Sequence, residues 1–182
     1  MTRAPHSDQA LQRFLIGIEG RAFRIAQIAT GQREEALDLV QDAMFKLVRK
    51  YADSPEQAWQ PLFYTVLQSG IRDWHRRQAV RNRFRRWFYH DDDEEAEDPL
   101  EQQPAEASTA PDSRLQDGQF RDHLERALGT LPYRQQQAFL LRVWEGMDIS
   151  DTAKAMQCSE SSVKTHYARA LEKLREQLEP FR

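Results

Sequence analysis

Cysteine is almost absent from this chain: the single Cys158 among 182 residues excludes an intrachain disulfide and cannot build a structural zinc site. Glycine is scarce too, at seven residues, and long β-branched runs are missing, whereas Leu, Ala, Gln, Glu and Arg abound. That balance favours helices over strands. The longest apolar run near the N-terminus, Phe14 to Ile18, is broken by Gly17 and flanked by Arg13 and Glu19, too short for a signal peptide or a membrane span. His6, His75, His90, His123 and His166 are dispersed without metal-ligand spacing, and no glycine-rich phosphate loop occurs. These absences set the expectation: an all-α, cytoplasmic protein with no membrane insertion, no cofactor, no metal site and no catalytic residues.

What is present is charge, and it is segregated. The formal net charge is only -3, yet residues 71–86 hold seven arginines against one acid, Asp73. Residues 91–106 hold nine acids and no base. A basic body with an acidic strip points to a nucleic-acid partner whose access the strip influences. Helical spacing runs from about Ser7 to Arg86, vanishes between Asp91 and Pro111, and resumes after Asp112 and Ser113, either of which can cap a new helix. The expected organisation is two small helical domains, 1–90 and 113–182, joined by a flexible acidic linker over 91–112.

The C-terminal stretch carries the sharper pattern. Pro132 suits a helix start, Phe139, Leu140 and Val143 continue an apolar face, and Gly146 offers a stop. A short helix over Ile149 to Met156, a turn of Gln157, Cys158 and Ser159, and a second helix capped by Ser159 give helix-turn-helix spacing. At 100° per residue, Val163, Tyr167, Ala170, Leu171, Leu174 and Leu178 share one arc. The opposite face presents Ser161, Thr165, Ala168 and Arg169, with Ser162 and Lys164 at its edges. An ordinary amphipathic helix has the same arc. The short preceding helix, the three-residue turn and the small exposed side chains tilt the reading toward a groove of DNA.

The run of Leu131-Pro132, Arg134-Gln135, Ala138 to Arg142, Glu145-Gly146, Ala153, Val163-Lys164, Ala168 to Ala170 and Leu174-Arg175 resembles region 4 of the extracytoplasmic function (ECF) sigma factors. That resemblance implies binding of the minus-thirty-five promoter element, with Ser161, Ser162, Lys164, Thr165 and Arg169 on the DNA side. Glu35 to Met44 is similar to region 2.2 of the same family, which docks on a coiled coil of the polymerase β′ subunit. Leu37, Val40, Met44, Leu47, Val48 and Tyr51 form an apolar stripe there, while Asp38, Asp42, Lys46 and Arg49 lie on another face bordered by Gln41 and Phe45. The resemblance makes Asp38, Gln41 and Asp42 the polymerase contacts. Pro61 to Tyr64 and Ile71 to Arg77 resemble regions 2.3 and 2.4, which capture the unwound minus-ten element. This implies DNA-binding roles for Arg72, Trp74, Arg76 and Arg77, with Phe84, Trp87, Phe88 and Tyr89 as further flat surfaces for bases. Trp74 also continues the apolar spacing of Phe63, Val66, Leu67 and Ile71, as a core residue does. Ser161, Thr152 and Ser69 differ from the residues common in the family. The implied partners are core RNA polymerase through its β′ coiled coil and β subunit, promoter DNA, and an anti-sigma factor.

Two rival readings share parts of this pattern. A helix-turn-helix activator of the response-regulator type carries a similar Val163 to His166 run but needs an α/β phosphoacceptor domain, and residues 1–86 lack alternating strand and helix patterns. A metal-dependent nuclease using the carboxylates of 91–98 is opposed by the polar, proline-containing character of that stretch, which suits a solvated tether.

Overall fold

The structure is a computed structural model that describes residues 5–88 and 117–179, with side chains described for 8–83 and 120–179. All elements among the described residues are helical. They are α1 (Pro5–Thr30), α2 (Arg33–Tyr51), α3 (Glu56–Phe88), α4 (Asp117–Gly129), α5 (Tyr133–Phe139) continuing into a π turn (Leu140–Trp144), α6 (Ile149–Met156) and α7 (Glu160–Leu178). The linker assigned to 91–112 lies outside the described residues, as do the candidate caps Asp112 and Ser113.

The first three helices pack on one another, and α5, α6 and α7 do likewise with α4 against α7. In α2 the buried line is Ala36, Val40, Ala43 and Leu47. The sequence-based stripe is therefore shifted: Val40 and Leu47 are inside, Leu37, Met44 and Tyr51 are half-buried, and Val48 faces outward. Alanines occupy the centre because they let helices approach closely. A Cβ added at Gly70 of α3 would stand 3.1 Å from the Leu39 Cδ2, which shows how tightly α2 and α3 meet.

In the C-terminal half the expected short helix spans Ile149–Met156, with Asp148 at its N-cap accepting from the Asp151 N–H at 2.7 Å. Buried Thr152 keeps its hydroxyl satisfied by donating to the Asp148 carbonyl at 2.6 Å, so a polar residue is accommodated where an aliphatic one is usual. Gln157 closes the helix in the left-handed region at φ 52°, and Gly146 has φ 63°, the turn its position requires. The helix after Pro132 does not hold its α phase. Over Leu140–Trp144 the bonds widen, with the Glu145 N–H reaching the Leu140 carbonyl at 3.2 Å. That extra residue per turn rotates Val143 out of the apolar face, where sequence spacing put it, and turns Glu145 inward.

The buried apolar set is continuous across both halves, from Leu11 and Ile18 through Phe63, Leu67 and Ile71 to Leu128, Leu141, Met156 and Leu174. Short α6 lies against α3, and α4 and α5 touch α1.

Candidate nucleic-acid interface

The expected recognition helix is α7. Ser159 stands outside it with extended backbone, and its Oγ accepts from the Ser162 N–H at 3.1 Å. The hydroxyls of Ser161 and Ser162 lie 2.9 and 2.8 Å from the same Oγ, which fixes the first turn. Val163, Ala170 and Leu174 are buried, and Tyr167, Leu171 and Leu178 pack partly buried beside them. Ser161, Lys164, Thr165, Ala168 and Arg169 are exposed on the other side, with Ser162 half-buried. Thr165 donates its hydroxyl to the Ser161 carbonyl at 3.0 Å, leaving its oxygen free to accept. The surface is small, basic and hydroxylic, the set that suits phosphates and base edges.

The arginine-rich end of α3 divides into two groups. Arg76 and Arg77 are exposed, as are Arg81 and Arg83, and Arg76 makes a loose 3.9 Å approach to Asp73. Arg72 and Trp74 are buried, at 4% and 7% exposure. The Arg72 Nη1 donates to the Met156 carbonyl at 3.4 Å, and burial pulls its pKa below the usual guanidinium value. Trp74 meets His75 edge to face at 5.0 Å, and the His75 ring lies 4.6 Å from that of Tyr133. Phe84, Trp87, Phe88 and Tyr89 fall outside the residues whose side chains are described.

On α2, Asp38, Gln41 and Asp42 are exposed, and Asp42 pairs with Lys46 at 2.6 Å one turn on. A solvent-exposed pair of this kind contributes little to stability. The same face exposes Phe45, at 68%, and Val48. Sequence spacing puts Phe45 at a border and Val48 in the core stripe; the alanines at 36 and 43, alternating with Val40 and Leu47 along one buried line, are the signal that places both outside.

Residues 121–174 match the family of Sigma-70, region 4. An RNA polymerase sigma-E factor of Streptomyces avermitilis is 31% identical over 163 residues, spanning 80% of this chain and 84% of that protein. The chain belongs to the ECF sigma factors. The ECF RNA polymerase sigma factor SigX of Bacillus subtilis is 28% identical over 155 residues, 82% of this chain and 74% of that protein. A match to an RNA polymerase sigma-E factor of Streptomyces antibioticus, at 39% identity, covers 44% of this chain and 46% of that protein. Among solved structures, the sigma factor RpoE of Bartonella quintana, in complex with the anti-sigma factor NepR, superimposes with a TM-score of 0.63 at 25% identity, covering 98% of this chain and all of that one. The sigma fold thus accounts for both helical halves, and the region 4 match runs from α4 into α7. Membership assigns the chain to promoter-specific transcription initiation. No helix among the described residues is long and apolar enough to cross a membrane.

Proposed function

We propose that this sigma factor works in the cytoplasm as two functional domains, 1–90 and 113–182, and carries no catalysis of its own. In this reading α2 anchors core RNA polymerase through Asp38, Gln41 and Asp42, the exposed Phe45 adding apolar area to the same contact. The second half of α3 engages the opened minus-ten element through Arg72, Trp74, Arg76 and Arg77. The face of α7 bearing Ser161, Ser162, Lys164, Thr165 and Arg169 reads the minus-thirty-five duplex. The acidic segment 91–112 tethers the domains, so that polymerase sets their spacing and binding of one raises the effective concentration of the other.

The observation that carries the proposal is the α7 face: a capped helix of a helix-turn-helix holds its apolar arc on the core and leaves hydroxyls, a lysine and an arginine outward. The Bartonella relative binds an anti-sigma factor, and an equivalent partner here would cover these same surfaces. Charge reversal at Asp38 and Asp42 tests the anchoring role. Both side chains are exposed, so affinity for core polymerase falls while helicity and unfolding midpoint stay near the parent's. Unchanged affinity removes the assigned interface.

A further inference from the structure

Helix α6 is only eight residues long, so it has few backbone bonds of its own, and both of its ends are held by arginines of the preceding helix. Arg142, on the π turn, donates through Nη1 to the carbonyl of Met147, one residue before the Asp148 cap. Arg134, near the start of α5, donates through Nη1 to the carbonyl of Met156, the last residue of α6, at 2.6 Å. Arg72 approaches the same oxygen from α3 at 3.4 Å, beyond the usual N–H···O range, so Arg134 has the closer hold. Positions 134 and 142 stand eight residues apart, about 12 Å along a helix, which is about the length of α6 itself. Past Met156 the chain turns at once. The N–H groups of Gln157 and Cys158 return to the carbonyls of Lys154 and Ala153, both at 3.1 Å, Gln157 is left-handed, and Ser159 already caps α7. A cation at the Met156 carbonyl also opposes the negative end of the α6 dipole.

We propose that Arg134 and Arg142 are positioning residues for promoter recognition: by holding α6 at both ends through its backbone, they set the angle at which α7 meets the upstream element. The proposal rests on the reading of α7 as the helix that reads DNA. Arginines of a DNA-binding domain ordinarily meet phosphates, and such a contact adds affinity alike for every sequence. These two are half-buried and turned onto main-chain oxygens of their own chain. A side chain that orients the reading helix acts on all of its base contacts together, because hydrogen bonds to base edges weaken steeply when misaligned.

The test uses holoenzyme reconstituted with the full chain and a promoter found by start-site mapping, its upstream element randomised, so that sequencing the bound fraction reads base preference at each position. Arg134→Met keeps an unbranched stem and removes the donors. It is expected to lower affinity for the preferred sequence about tenfold, on the scale of one lost base contact. Preference should flatten at several upstream positions at once, with the log–log salt slope as in the parent. Arg142→Met is expected to act in the same way. A slope lowered by about 0.9 with preference intact assigns a phosphate contact instead and overturns the proposal. Lost stability with preference intact, or lost helicity in both variants, makes the arginines merely structural and overturns it too. If only Arg134→Met loses helicity, Arg142→Met carries the measurement. Arg169→Ala separates the proposal from the reading beneath it: a change at one position there, with none in either methionine variant, rejects positioning alone. No change in any of the three rejects α7 as the reading helix, and positioning with it. Cys158, half-buried in the turn after α6, gives a readout without DNA. Burial raises its thiol pKa and nearby Arg134 lowers it, so the rates compared are limiting alkylation rates at high pH, where the thiol is ionised in every variant. Arg134→Met is expected to raise that rate severalfold with helicity retained, and an equal rate overturns the hold of Arg134 on the turn.

Discussion

Arg169 and Lys164 share the outward face of α7 but sit differently on it, Arg169 near the centre and Lys164 at the edge. A guanidinium presented centrally by a docked helix suits a base edge; an edge ammonium suits a phosphate. Replacing Arg169 with Ala is expected to cost about 1–3 kcal/mol in promoter binding and to relax preference at one upstream position. Replacing Lys164 weakens all upstream sequences alike and lowers the salt slope by about one unit. Binding of reconstituted holoenzyme to single-base variants of the upstream element separates the two, and unaltered affinity for both mutants assigns this face to mere solvent exposure. His75 supplies a residue-scale expectation of another kind. Burial pulls its pKa down from 6.5 to about 4. Above pH 6.5 the imidazole is neutral whether the chain is folded or not. As pH falls from there toward 4, the unfolded chain takes up a proton that the folded one refuses, so stability declines across this window and levels off below it. Between pH 7 and pH 5 this one group removes roughly 2 kcal/mol. Denaturant midpoints at the two pH values should converge in His75→Phe; the same decline in parent and variant assigns it to other groups.

Helix α7 owes its start to one side chain. Without the Ser159 hydroxyl the Ser162 N–H loses its acceptor, so Ser159→Ala is expected to cost about 1 kcal/mol of stability, read from urea unfolding; no change makes the cap dispensable. On α2 the exposed Phe45 is expected to matter for binding rather than folding. Phe45→Ala should weaken core polymerase association with the unfolding midpoint unmoved, and a stability loss without an affinity loss reverses that assignment. These elements also show what can be read from residue order. The bounds of α6, the Ser159 cap and the arc from Val163 to Leu178 were legible because caps and 3.6-residue spacing act over a few neighbours. The π turn was not, since its added residue leaves no mark in apolar spacing; for that reason spacing alone points Val143 inward, where the structure exposes it. The buried line of α2 is hidden from apolar spacing because bulky residues dominate that spacing, whereas close helix packing selects the alanines.

Across the whole molecule the all-helical class and the sigma family were legible, the first from composition and the second from motifs in two separate stretches. The burial of Arg72 was not. Gln68, Arg72 and His75 form a second stripe along α3 beside the apolar one, polar in composition, and its cover comes from Tyr133, Gln137 and Met156, at least 58 residues away. No local pattern encodes a partner at that distance. The same long-range packing sets the buried Glu145 against Arg21 of α1 and Gln60 of α3. Directing RNA polymerase to a particular class of start sites is the claim on which the residue and element assignments depend. Its direct measurement is transcription of genomic DNA in vitro by core polymerase with and without the purified chain, followed by sequencing of RNA 5′ ends. Stoichiometric association with core and a new set of start sites sharing one upstream and one proximal element are expected; an absence of association, or start sites identical to those of core alone, would contradict the account.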